Sequence, residues 1–167
     1  MPHGAKVMLL AFESFRDSSG ATDWRRTTFH TPNNYARDLA REFPARFEWV
    51  ASIHPHRNDC VTELRRSKQD GARAVKWLPS AMGIDPAAKK CDEFYAAMAE
   101  LNLPLITHAG HEAAVDVGAG QAFGNPLLLR RALDHGVRVV VAHCATLGKD
   151  RDIDKSPNGP WVDSLQL

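Results

Sequence analysis

The sequence predicts an α/β protein built around a parallel sheet. Five short, mostly apolar runs alternate with stretches of helical periodicity along the 167 residues, and this alternation is typical of repeated strand–helix units. Continuous apolar runs favour strands that are covered on both faces, as parallel strands are. Lys76, His108 and His143 lie near the ends of three runs and are 32 and 35 positions apart. One strand-plus-helix repeat has roughly 30 or more residues.

The predicted strands share a core of aliphatic residues. They cover residues 6–12, 47–53, 74–78, 104–107 and 138–142. The polar segment 13–30 after the first strand is predicted to be an extended loop. These patterns leave open whether the sheet is open or closed, since a complete (β/α)₈ barrel needs about 250 residues.

The predicted helices begin at capping residues. Thr31, Asp85 and Asn125 each precede a proline, which suits the first helical position. Asn58 or Asp59 is the candidate cap of the remaining helix.

Apolar residues at helical spacing predict the buried helix faces. Those faces are Tyr35, Leu39 and Phe43; Phe94, Met98 and Leu101; and Leu128, Leu129, Ala132 and Leu133. Gly71 and Gly136 stand just before strands, where helix C-caps belong. In the tail, 150–167, only the last apolar residues are candidates for a further helix: Trp161, Val162, Leu165 and Leu167.

The composition is that of an ordinary globular protein. The chain is 44% hydrophobic and 25% charged, with a formal net charge of +1. We therefore expect no nucleic-acid partner, and basic pairs such as Arg25 and Arg26 are expected on solvated surfaces. No apolar run reaches the roughly 18 residues that span a membrane. An N-terminus without a secretion signal and an odd count of three cysteines predict a cytoplasmic protein, with Cys144 buried as a small apolar residue.

Two predicted strands end in histidine, and these strand ends are the candidate site. His108 ends the run 103–108, and His143 ends the run 137–143. The carboxyl ends of parallel strands lie at one rim of the sheet, where such folds place their chemistry. Because histidine is the commonest metal ligand and neutral imidazole suits zinc, we predict that both bind a divalent metal, with zinc the first choice.

Other polar residues follow the same strands. Lys76 is predicted to be either a catalytic group, as a carbamylated metal ligand or a local charge, or a salt-bridged structural lysine. His54 and His56 flank a proline, which favours a turn, so we expect a substrate-side or structural role in preference to metal ligation. Glu112 and His111 are candidates for a proton shuttle and a substrate contact, or else solvated loop residues.

The order and spacing of several segments resemble those of a known family. The segments are SIHPHR at 52–57, AVKWLP at 74–79, GIDP at 83–86, PLITHAG at 104–110, NP at 125–126 and VVVAHCA at 139–145. Together they are similar to the amidohydrolase superfamily, in its amidohydrolase-related (amidohydrolase 2) branch of TIM-barrel metal-dependent hydrolases. The resemblance extends from about residue 6 to residue 148.

The resemblance implies that the five strands are barrel strands 2 to 6. In that register the strand 5 and strand 6 histidines, here His108 and His143, bind a divalent metal, usually zinc. Lys76 matches the strand 4 lysine that is carbamylated in binuclear members, although many members of this branch are mononuclear. The strand 1 His-x-His would precede the first predicted strand, where only His3 lies, and the strand 8 aspartate that acts as base would lie beyond the last residue.

The chain is therefore predicted to be a single partial TIM-barrel domain over residues 1–167. The resemblance implies a hydrolase that uses metal-activated water on an amide, ester or lactone carbonyl of a small molecule, without activity expected from these residues alone. Two alternatives stay open: a zinc-dependent decarboxylase of the same branch, and a non-catalytic α/β binding module. A homo-oligomer also stays open.

Overall fold

Five parallel strands form an arc in which strand order follows chain order. The computed structural model describes residues 4–167, and its strands in the arc are β1 (Val7–Leu10), β2 (Phe47–Val50), β3 (Val75–Trp77), β4 (Leu105–His108) and β5 (Val139–Ala142). β1 pairs with β2, and β3, β4 and β5 pair in turn, all in parallel. The backbone N–H of Lys76 donates to the Ala51 carbonyl at 2.7 Å, beside a parallel bridge from Ala51 to Val75, so β2 continues into β3.

This order confirms the predicted α/β class and indicates a barrel arc. A doubly wound sheet reverses its strand order at a switch point, whereas barrel strands follow one another around the axis.

The first and last strands carry exposed apolar side chains, including Val7, Met8 and Val140. These side chains lie on the two edge strands of the arc.

The helices lie between the strands as predicted, but not all of them begin at the predicted caps. They are α1 (Asn33–Glu42), α2 (Cys60–Gln69), α3 (Pro79–Met82), α4 (Asp92–Glu100) and α5 (Arg130–Asp134). The Asn125 side chain accepts the Leu127 N–H at 3.0 Å, which confirms that cap. Asp85 accepts the Ala87 N–H at 2.9 Å instead, and a turn and a short 3₁₀ segment separate it from α4.

The main core lies between the strands and the helices that cover them. Trp77 of β3 is fully buried, stacks on Phe94 with ring centroids 5.3 Å apart, and donates its indole N–H to the Ile53 carbonyl at 2.8 Å. The predicted face of α4 is confirmed, since Phe94 and Met98 are fully buried. This core fixes β3, and therefore the strand end that carries Lys76.

The predicted face of α1 is wrong. Tyr35 and Phe43 are exposed, and the buried residues of the helix are Ala36 and Ala40. Small side chains let α1 approach the sheet closely, so the aromatic residues are left at the margins of the contact.

The predicted C-terminal helix is also wrong, because a hairpin occupies most of that region. Strands β6 (Lys149–Arg151) and β7 (Trp161–Asp163) pair in antiparallel fashion, and only a short 3₁₀ segment follows at Ser164–Gln166. The connection carries Asn158-Gly159, a dipeptide common in hairpin turns.

His3, the histidine that precedes the first predicted strand, lies outside the described residues 4–167. Within that range, no helix combines the length and the apolar character needed to cross a membrane.

Candidate metal centre at the strand ends

The strand register brings Lys76, His108 and His143 to one rim of the arc. Lys76 pairs with Ile106 of β4, and His108 follows two residues later, so both lie on the same face of the sheet. His108 pairs with Ala142 of β5, directly before His143. The two imidazole centroids are 5.5 Å apart, so the structure brings the two predicted metal ligands together.

The ring of His108 carries a nitrogen without a partner. Its Nε2 atom is buried and makes no hydrogen bond within residues 4–167. The nearest acid is Glu112, whose Oε2 lies 3.7 Å from that nitrogen. Burial lowers the pKa of His108, against an opposing effect of Glu112, so the neutral ring that a metal requires is favoured.

Glu112 is held in place by its own loop. Its Oε1 accepts the Ala114 N–H at 2.6 Å. The Gln121 side chain accepts the Glu112 N–H at 3.0 Å and donates to its carbonyl at 2.6 Å. Oε2 is thereby left facing His108 in a buried position. Gln121 was not among the residues predicted from the sequence, because a glutamine nine residues from Glu112 gives no local signal of this contact.

Lys76 is buried beside these groups, with 5% of its surface exposed. Burial lowers the pKa of its amine to about 8, and the negative charge of Glu112 opposes that shift. No ion pair within residues 4–167 includes Lys76, so the salt-bridged lysine considered above is not what the structure shows. A desolvated amine of this kind is easily deprotonated.

The chain leaves β5 through a left-handed turn. His143, Cys144 and Ala145 have φ values of 59°, 52° and 50°, a region that costs L-residues about 1–2 kcal/mol each. Such strain clusters at ligand sites. The turn exposes Cys144, so the prediction that this thiol is buried is wrong.

The positions of the two histidines suit two of the four ligands of a tetrahedral zinc site. Imidazoles that share one tetrahedral zinc ion have ring centroids about 5 Å apart, close to the observed 5.5 Å. The unpartnered Nε2 of His108 is the kind of atom that an ion would satisfy. Within the described chain, no three His, Cys, Asp or Glu side chains form a group that could hold an ion. His108 and His143 are therefore candidates for two ligands, and Glu112 lies beside them without completing a three-residue group within residues 4–167.

His54 and His56 lie in the loop after β2. His54 is fully buried, its Nδ1 accepts the His56 N–H at 3.1 Å, and its Nε2 donates to the Met82 carbonyl at 2.9 Å. Because both ring nitrogens are hydrogen-bonded, His54 links the loop after β2 to Met82 of α3. The substrate-side role of these two residues stays a prediction, as does that of His111, which is exposed and donates its backbone N–H to the Leu147 carbonyl.

His54 makes stability depend on pH. Burial lowers its pKa from 6.5 to about 3, so between these values the unfolded chain binds one more proton than the folded chain. Stability present above pH 6.5 is therefore lost as the pH falls, by about 1.4 kcal/mol per pH unit for this group. Urea denaturation from pH 7 to pH 4 should show wild type and His54→Gln converging. A difference that stays constant across this range would contradict the assignment, and His30→Gln, an exposed histidine, should follow wild type.

Comparison with known proteins identifies the family and the fold. A family model described as Amidohydrolase matches residues 7–163. No curated protein matches the chain.

Solved structures match the fold at low identity. An uncharacterized TIM-barrel protein from Bordetella bronchiseptica is 19% identical, with a TM-score of 0.58 over 81% of this chain and 45% of that one. A probable 2-pyrone-4,6-dicarboxylic acid hydrolase from Acinetobacter baumannii, solved with citric acid bound, is 14% identical, with a TM-score of 0.54 over 85% of this chain and 60% of that one. A putative hydrolase of the same name from Pseudomonas putida is 16% identical, with a TM-score of 0.51 over 69% of this chain and 38% of that one. The fold is thus a partial TIM barrel, and the chain spans 45% of the length of the Bordetella protein.

Proposed function

This chain belongs to the amidohydrolase family, and we propose that it supplies the central strands and two metal ligands of a metal-dependent hydrolase. The observation that carries the proposal is the buried, unpartnered Nε2 of His108 beside His143 and Glu112. A structural histidine would normally satisfy that nitrogen, because an unpaired buried polar atom costs about 1–3 kcal/mol.

Each residue of the site has a different proposed role. His108 and His143 would hold a divalent ion, for which zinc is our first choice. A bound ion would supply an acidified water and polarise a carbonyl. Glu112, buried with Oε2 directed at His108, is placed to accept a proton at that oxygen. Lys76, with its pKa lowered to about 8, places a cation or a neutral amine beside that carboxylate.

We propose an ester, lactone or amide of a small molecule as the substrate class. Two structural neighbours bear the name of a lactone hydrolase, which makes 2-pyrone-4,6-dicarboxylate a reasonable first compound. Hydrolysis of the lactone releases a proton, so base must be added to hold the pH constant. The decarboxylase alternative releases carbon dioxide from an unsaturated acid. This pair of assays separates the two enzymatic alternatives.

Metal binding tests the proposal without relying on turnover. The chelator-treated chain, titrated with Co²⁺, should bind one equivalent and develop visible ligand-field bands. Added Zn²⁺ should displace the Co²⁺ and abolish these bands. Two imidazole ligands and a desolvated pocket favour saturable binding. A titration that never saturates would refute the proposal and favour the alternative hypothesis of a non-catalytic binding module.

A further inference from the structure

The two ends of the strand arc expose apolar surfaces. Within residues 4–167, β1 pairs only with β2 and β5 only with β4, so each has one backbone edge without a neighbouring strand. An open strand edge is a template on which another strand can pair. Val7 and Met8 are exposed at one end of the arc, and Val140 is exposed at the other. A further polypeptide could therefore continue the sheet at either end.

The surface at the β1 end includes one side of helix α1. Arg37 and Arg41 reach Asp70 at the end of α2, with N–O distances of 3.4 Å and 2.6 Å, so their side of α1 faces α2. At about 3.6 residues per turn, Tyr35 and Phe43 lie on the opposite side of the helix. They are 63% and 41% exposed. We call the open edge of β1 together with these two aromatic side chains the β1 face.

The surface at the β5 end contains an apolar groove. It has a volume of about 470 Å³ and lies between β5, α5 and the last residues of the chain. Its lining includes Val139 and Val141 of β5, Leu133 of α5, and Leu165 and Leu167. Leu133 and Leu165 are more than half exposed. We call the open edge of β5 together with this groove the β5 face, and it offers aliphatic contacts to large apolar side chains.

Exposed charges of opposite sign lie at the same end of the two edge strands. Arg46 lies beside the start of β1, where its carbonyl accepts the Val7 N–H at 2.9 Å. Asp134 ends α5, five residues before the start of β5. Both are exposed, and within residues 4–167 neither belongs to an ion pair. Arg138, also near the start of β5, donates to the Asn102 side chain at 2.9 Å. A strand β1 laid parallel to β5 would therefore bring a free arginine towards a free aspartate.

We propose that the β1 face of one copy of this chain binds the β5 face of a second copy, with β1 parallel to β5 and with Tyr35 and Phe43 in the groove. The contact repeats the strand-then-helix order by which the chain already builds its own parallel sheet. It also covers the exposed apolar side chains at both ends of the arc, which is the usual role of such surfaces.

The contact joins two different surfaces, so it is head to tail. Such contacts form a closed ring when the rotation between copies closes, and an open filament when it does not. The inference does not depend on the proposed function, because neither face includes His108, His143 or Glu112.

Sedimentation velocity of the wild-type chain tests the inference and should show a concentration-dependent species of two or more copies. Tyr35→Glu on the β1 face and Leu165→Glu on the β5 face should each weaken association by at least about 100-fold, because an unpaired charge in an apolar contact is strongly unfavourable. An equal mixture of the two variants should associate again, since the intact β5 face of the first can bind the intact β1 face of the second.

Trp24→Glu is the matched control. Trp24 is 65% exposed but lines the cleft between α1 and α2, away from both faces, so this variant should associate like wild type. Tyr35 and Leu165 are more than half exposed as well, and circular dichroism should show that all three variants keep the wild-type fold.

Three results would overturn the inference. The first is a wild-type chain that sediments as a monomer at every concentration, and this result decides the matter even if a variant fails to fold. The second is a mixture of Tyr35→Glu and Leu165→Glu that stays monomeric. The third is Tyr35→Glu associating like wild type while Leu165→Glu does not, which would mean that the groove binds a second groove or a different partner.

Discussion

Replacing His108 with alanine will lower the affinity of this chain for zinc by at least about 100-fold. Losing a group that merely supports a ligand already costs about 10–100-fold in metal affinity, and His108 is proposed as a ligand itself. Its Nε2 is buried and unpartnered, so an ion gains this bond without breaking an existing hydrogen bond. Competition of each variant against a chromophoric zinc chelator measures the effect.

His30→Ala is the matched control for this variant. His30 is exposed and lies in the loop after β1, so its loss should leave zinc affinity unchanged. His143→Ala should resemble His108→Ala, because the two rings are proposed to share one ion. Wild-type affinity in both strand-end variants would mean that any zinc binds elsewhere on the chain. Circular dichroism would show that each variant keeps its fold.

Replacing Trp77 with alanine will lower the free energy of unfolding by about 3–5 kcal/mol, the usual cost of removing a large buried aromatic side chain. Trp77 is fully buried, contacts both Phe94 and Tyr95, and donates its indole N–H to the Ile53 carbonyl. Since small proteins are stable by only about 5–15 kcal/mol in total, much of the protein should unfold at moderate temperature.

Trp24→Ala is the control for the loss of an indole. Trp24 is 65% exposed, so its removal should change the free energy of unfolding by less than about 1 kcal/mol. Urea denaturation followed by circular dichroism compares the two variants. Equal losses in both would show that Trp77 is not at the centre of the core.

The sequence predicted the strands and the histidine pair because both depend on local pattern and spacing. Each strand is a short apolar run, and a histidine at the end of such a run comes to the rim in any parallel sheet. That β4 and β5 are direct neighbours, however, depends on strand order. Periodicity does not determine strand order, and the family resemblance was needed to predict it.

Other features depended on contacts that a single sequence does not show. Tyr35 and Phe43 have helical spacing, but α1 packs through Ala36 and Ala40, because a close approach to the sheet needs small side chains. Trp161 lies in a hairpin strand, where it pairs with Arg151 and its ring lies under the Arg151 guanidinium. Within the described chain, the Ser80 hydroxyl is buried without a partner because α3 packs against the 3₁₀ segment Gly118–Gly124, about 40 residues further along the chain.

Diffraction from crystals of the zinc-loaded chain, measured at the zinc absorption edge, would locate the ion. We expect one anomalous peak at the ends of β4 and β5, within about 2.0–2.1 Å of a nitrogen of both His108 and His143. A peak on His54 and His56, or on only one of the two strand-end histidines, would refute the proposed metal site.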